Sequence, residues 1–158
     1  MIWFLAHLGL ALLWTFLSSE PSLASFIIGL VLGLGLLIVA RGLVNDGGYV
    51  RRVMALGWFL AVFLKEFLVS NLNLAVLVLG SRAPRLRGGF LEYDIRGLRP
   101  WETLLLAHCI SLTPGTTSVE VAEDGRTLWI HALEAGDPDG VRRGIDINLR
   151  APMLRWTR

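Results

Sequence analysis

The chain has little of what covalent chemistry needs. A single cysteine, Cys109, excludes an intrachain disulfide and any cysteine-based metal cluster, and suits a domain facing the cytoplasm. His7, His108 and His131 are too scattered for ligand spacing, and no His-x-x-x-His accompanies a carboxylate. Cys109 follows His108, but adjacent residues on a helix point about 100° apart and form no nucleophile–base pair. Neither Gly-x-Ser-x-Gly nor Gly-Lys-Ser/Thr occurs, and Gly29, Gly33 and Gly35 sit inside an apolar run where a dinucleotide fingerprint has no place. Aromatic-basic RNA signatures and recognition-helix patterns are missing too. The expectation is no catalytic residue, no cofactor, no metal and no nucleic-acid partner.

Positive charge is missing from the N-terminal quarter. No Lys or Arg precedes Arg41, and all fifteen come at or after it, although the net charge is only +2. With 54% apolar residues, six Trp and a mean hydropathy of +0.58, the composition is that of a membrane protein.

What is present begins with a membrane hairpin. Ile2 to Leu17 is nearly all apolar, covers about 24 Å as a helix, and lacks the basic n-region of a signal peptide. Trp3 and Trp14 near its ends suit the interfacial belts. After the turn Ser18-Ser19-Glu20-Pro21-Ser22, Leu23 to Leu43 gives about 30 Å of unbroken apolar sequence. Ser25, Gly29 and Gly33 recur every four residues and so share one face, on which another helix can approach closely. Its partner is either the first helix or another subunit. The turn carries no Lys or Arg and is placed outside, while Arg41, Arg51 and Arg52 place the far end in the cytoplasm.

Asn45-Asp46-Gly47-Gly48 breaks the pattern before a third apolar segment, Val53 to Leu79. A third transmembrane helix would put Lys65 and Glu66 near mid-membrane at roughly +2.5 to +3.5 kcal/mol each. It would also carry Arg82, Arg85, Arg87, Arg96 and Arg99 outside, against the rule that orients the hairpin. An amphipathic helix lying in the interface, with Glu66, Ser70 and Asn73 along a narrow polar stripe, violates neither and is preferred. Lys65 and Glu66 read as an ion pair at the lipid–water boundary rather than as a proton relay.

Ser81 to Gly89 is a basic linker with Pro and Gly, and a small α+β domain follows. Phe90 to Ile95 alternates as a strand, with Leu91, Tyr93 and Ile95 on one face. Pro100 opens a helix to Leu112, with Glu102 in its first turn. Thr117 to Glu123 and Arg126 to Leu133 read as a hairpin around Asp124-Gly125, pairing Glu123 with Arg126, Val121 with Leu128 and Val119 with Ile130. Asp137-Pro138 caps a last helix bearing Val141, Ile145 and Leu149, weakened by Gly140 and Gly144. The β-α-β-β-α order, with the third strand between the others, resembles a ferredoxin-like fold short of one strand. The division expected is a hairpin over 1–44, an interfacial helix over 45–80 and a cytoplasmic α+β domain over 81–158.

Between helix and hairpin lies Ile110-Ser111-Leu112-Thr113-Pro114-Gly115-Thr116. Pro114 cannot continue the helix, and Pro114-Gly115 fits the centre of a type II turn. This stretch, within Ala107 to Ser118, resembles the signature of the E-type member of Mrp-type (Mnh/Pha) multisubunit monovalent cation/proton antiporters. Val119-Glu120-Val121, the Asp-Gly hairpin, Leu128 to His131 and the N-terminal layout extend the likeness along the chain, while His108 and Cys109 depart from it. The resemblance implies a complex exchanging sodium or another monovalent cation for protons across a bacterial plasma membrane. In it the large subunits carry the ion pathways. An accessory, non-catalytic E-type subunit supports assembly and is open to a part in coupling. Its partners would be the A, B, C, D, F and G subunits, most closely the small F and G, together with the bilayer. The signature turn Leu112, Thr113, Pro114, Gly115 and Thr116 is then structural. The other reading is a membrane-anchored ligand-binding or enzymatic domain with a site the sequence hides.

Overall fold

The computed structural model describes residues 2–40, 48–80 and 87–158. Arg41, the turn residues Asn45 to Gly47 and the first part of the basic linker lie outside the described residues. By contacts the chain forms two compact units, Met1–Met54 and Ala55–Arg158.

In the first unit α1 (Ile2–Leu17) and α2 (Leu23–Ala40) run antiparallel, since Gly29 meets Ala11 and Trp14 while Gly33 meets His7 and Leu10. Ser22 stabilises the start of α2 by accepting the Ser25 N–H at 3.2 Å, and the Ser25 hydroxyl donates to the Glu20 carbonyl at 2.8 Å. The outer faces are apolar and exposed, as at Phe4, Phe16, Val31 and Val39. A third helix, α3 (Tyr49–Leu79), begins in this unit, where Val50 is buried. Among the described helices α2 and α3 are long and apolar enough to cross a bilayer, while α1 is shorter.

The second unit is a three-stranded antiparallel sheet covered on one side. Its strands are β1 (Gly89–Asp94), β2 (Thr116–Val121) and β3 (Thr127–Ala132), with β3 in the middle. The alternation in β1 puts Leu91 and Tyr93 on the inner face beside Leu128, Ile130 and Ala132, all buried, and leaves Phe90 and Glu92 outside. Onto that inner face pack Leu106, Cys109 and Ile110 of α4 (Pro100–Leu112), together with Phe59 of α3. Each such fully buried aliphatic side chain stabilises by about 1.5–3 kcal/mol.

A last helical run adds Ile145, Leu149 and Met153. It comprises α5 (Pro138–Ile145), a π-helical turn (Asp146–Arg150) and α6 (Ala151–Thr157). Asp137 caps it by accepting the Gly140 N–H at 2.9 Å, and the helix forms despite its two glycines. The widened turn, in which the Ala151 N–H reaches Asp146 O, comes just before Pro152. Proline has no N–H to give and crowds the carbonyl four residues back, which a π turn relieves. The same run seals the outer edge of β1. Arg142 Nε donates to Glu92 O at 2.8 Å and Arg150 Nη1 to Asp94 O at 2.9 Å.

The hairpin differs from expectation. Val121 pairs with Leu128, but Ser118, not Val119, pairs with Ile130, because a bulge falls between Ser118 and Glu120. Val119 and Val121 are therefore half-exposed on an edge strand instead of filling the core. Glu123 and Arg126 do not pair either. The strands close at Ala122, whose N–H reaches Thr127 O at 2.8 Å, leaving a four-residue loop. The physical reason is the neighbouring helix: Ser118 Oγ donates to Ala107 O at 3.1 Å, an added bond to α4 that a valine side chain at that place cannot make.

Candidate functional site

The residues singled out in the sequence fall into two places, one in each unit. In the first, the positions where Cβ atoms of Gly29 and Gly33 would stand lie 2.7 Å from the Ala11 carbonyl oxygen and 3.0 Å from His7 Cδ2. These glycines are where the backbones of α1 and α2 come together. Ser25, on the same face, bonds within the connecting turn, with Ser18 Oγ at 3.4 Å.

His7 is the residue the sequence undervalued here. It is buried, with Nε2 2.8 Å from Leu30 O and Nδ1 2.8 Å from Tyr49 Oη. A carbonyl can only accept, so Nε2 carries a proton and donates to Leu30 O, while Nδ1 shares a hydrogen bond with the tyrosine hydroxyl. The imidazole thus has a partner at both nitrogens and ties the start of α3 to the hairpin.

In the second unit the signature turn closes α4. Thr113 N–H and Oγ1 both bond Cys109 O, at 3.2 and 2.9 Å. Thr116 N–H returns to Thr113 O at 3.3 Å across Pro114 and Gly115, with Gly115 at φ +98°. Thr116 Oγ1 donates to Ile110 O at 2.9 Å, and Leu133 N–H to Gly115 O at 2.8 Å. The Cys109 and Ile110 carbonyls at the helix end are thereby met by the Thr113 N–H and by the hydroxyls of Thr113 and Thr116. Leu112 points outward and is exposed. Cys109, beneath this corner, is 5% exposed, and burial pushes its thiol up to about 11, so it is not a nucleophile at neutral pH.

An Ala at 115 would meet no atom within 4 Å, so its cost is backbone strain alone, roughly 1 kcal/mol or more. Gly144 also has open space around it but is helical, and Ala there should stabilise by about 0.5–1 kcal/mol. Thermal unfolding of the two variants in detergent should therefore shift in opposite directions.

The turn also walls a groove of about 520 Å³. Glu66, Ser70 and Asn73 of α3 form one side, Thr113 to Thr116 another, and Val141, Ile145 and Leu149 an apolar wall. Lys65 and Glu66, expected as an ion pair at the lipid–water boundary, stand 3.7 Å apart. The Glu66 side chain is 22% exposed and lines this groove, while Lys65 is 72% exposed. A pair so exposed on one side contributes little. The sequence's polar stripe and its signature turn are thus two walls of one feature. Among the described residues no cluster of His, Cys, Asp or Glu could hold a metal ion.

A second polar device was not legible in the sequence. Glu102 is fully buried, accepting from Arg99 N–H at 2.8 Å, Thr157 Oγ1 at 2.8 Å and Arg158 Nη2 at 3.0 Å. The Arg158 guanidinium, helped by the Arg99 N–H and the Thr157 hydroxyl and opposed by burial, holds its carboxyl down at about 2. The pair pins the end of α6 to the start of α4. Its side-chain donors, Thr157 and Arg158, lie 55 and 56 residues away, so no local spacing reveals it.

Comparison with known proteins gives a consistent result. A family model described as a Na+/H+ ion antiporter subunit matches residues 7–155. The chain is similar to the E-type Na(+)/H(+) antiporter subunit of Alkalihalophilus pseudofirmus, 29% identical and covering 98% of this chain and 97% of that one. It is also similar to the Bacillus subtilis protein of the same name, 30% identical over 85% of each. Among solved structures it resembles a chain of the membrane-bound sulfane sulfur reductase, an archaeal respiratory membrane complex. That likeness has a TM-score of 0.50 at 25% identity and covers 84% of this chain and 83% of that one. With a match running from the middle of α1 to the middle of α6, the chain belongs to the MNHE family of Na+/H+ ion antiporter subunits.

Proposed function

We propose that this chain is the accessory, non-catalytic E-type subunit of a multisubunit monovalent cation/proton antiporter in a bacterial plasma membrane, and that it holds its α+β domain on the cytoplasmic surface. The observation that carries the topological part is the packing of α3. Leu56, Phe59 and Phe63 join the core of the α+β domain, and Phe59 lies 6.2 Å from the Trp156 ring. Glu66, Ser70, Asn73 and Leu77 continue the same face at helical spacing. Roughly 30 Å of helix thus lies along a charged domain, which a bilayer-spanning helix would drag into the hydrocarbon. Leu64, Leu68, Leu72 and Leu79, on the opposite face, are exposed and apolar, which suits an interfacial helix with lipid beneath it.

In this reading residues 1–44 anchor, 45–80 lie in the interface, and 81–158 form the cytoplasmic part, a ferredoxin-like order lacking the strand beside β1. Arg142 and Arg150 cap that edge in its place. The partners are the other antiporter subunits, with the small F and G types nearest. The test is purification of the tagged chain in mild detergent from cells that produce the whole antiporter. It should migrate with the other subunits, and migration alone as a folded monomer would overturn the proposal.

A further inference from the structure

The groove between α3 and the signature turn is sizeable, in the range of ligand pockets, and its charge is one-sided. Among the described residues two carboxylates, Glu66 and Glu134, line it, and no Lys, Arg or His does. The rest of the wall is aliphatic or neutral polar. Glu134 is partly engaged, accepting Gly136 N–H at 3.0 Å, whereas Glu66 has as its ion partner the outward-lying Lys65.

Resting on the reading of this chain as an antiporter subunit, we propose that the groove is a docking site for a segment of another subunit. That segment presents a lysine or arginine to Glu66 with aliphatic residues beside it. Charge complementarity selects this occupant. A phospholipid brings an obligatory phosphate, which the two carboxylates lining the groove repel. An uncharged apolar segment would partly desolvate Glu66 with only the outward-lying Lys65 beside it, at a cost that a cation inside the groove lowers. The signature turn is then the wall of an interface as well as a corner of the fold, and its hydroxyls are already committed to α4 carbonyls. It presents shape and carbon, while α3 presents charge.

The test uses the full chain in the purified complex, with a photo-crosslinking phenylalanine replacing Asn148, which lines the groove, and a control replacing Phe90 on the open sheet face. Irradiation should join position 148 to one peptide of another antiporter subunit, and that peptide should contain Lys or Arg among apolar residues. Glu66→Lys should lower the yield by about fivefold or more, and Glu66→Gln, which keeps size and polarity, by less. Replacing the partner's cation with Glu should restore the yield in the Glu66→Lys background. Crosslinks confined to lipid or to this chain, a captured peptide without a cation, or a yield indifferent to both Glu66 variants would each overturn the proposal. If Glu66→Lys fails to fold, the Gln variant carries the comparison. Co-purification of the unmodified chain with the antiporter separately tests the reading on which this rests.

Discussion

Gly29→Leu should leave this chain in the membrane yet sharply reduce recovery of the antiporter complex. The position a Cβ would take stands 2.7 Å from the Ala11 carbonyl oxygen and 3.1 Å from Trp14 Cβ, so backbone, not a yielding side-chain tip, is in the way. Even Ala forces α1 and α2 apart, an overpacking cost of about 1–3 kcal/mol, and Leu costs more. Insertion depends on hydrophobicity, which Leu raises. Assembly depends on the shape of the hairpin, which Leu changes. Gly35→Leu is the control, because its Cβ would meet nothing within 4 Å. Quantifying the chain in membranes and in the purified complex for both variants separates the effects. Equal assembly of Gly29→Leu and wild type would remove the case for the glycine face.

Glu102→Gln should destabilise the α+β domain by about 3 kcal/mol at neutral pH. The carboxyl titrates at about 2 in the fold against 4.5 for the free group, and each unit of difference is worth about 1.4 kcal/mol. Because the folded value is the lower one, the stabilisation is fully present above 4.5 and is lost as the pH falls from there toward 2. Tryptophan-monitored denaturant unfolding in micelles should show wild type well above the variant at pH 7. The gap should narrow steadily below pH 4.5. A gap independent of pH would mean that Glu102 stabilises by packing rather than by charge.

Local pattern carried most of the second unit. Alternation placed Leu91, Tyr93 and Ile95 inward, and Pro100 and Pro114 bracket α4 because proline starts a helix well and continues one badly. What alternation misjudged was β2. Val119 and Val121 looked like the core side, but the inner positions went to Thr116 and Ser118, whose hydroxyls bond the α4 carbonyls of Ile110 and Ala107. A demand made by a neighbouring element cannot be read from the strand itself. The same holds for Glu102, recognisable as a first-turn acid but not as the partner of Arg158. In the hairpin, the spacing of Gly29 and Gly33 announced a packing face, while the surface it meets, Ala11 and His7, is a tertiary fact. Glu66, Ser70 and Asn73 were visible as a stripe and Thr113 to Thr116 as a turn. Their convergence on one groove was not visible.

Whether α3 lies in the interface with the α+β domain on the cytoplasmic side is measured directly by cysteine labelling. Buried Cys109 gives little background, so single cysteines can be placed at exposed Arg96 and Glu123, and at Ser19 in the α1–α2 turn. With a membrane-impermeant maleimide, the account predicts labelling of position 19 in intact cells, and of positions 96 and 123 only in inverted vesicles. Labelling of 96 and 123 from outside intact cells would contradict it and make α3 a third span.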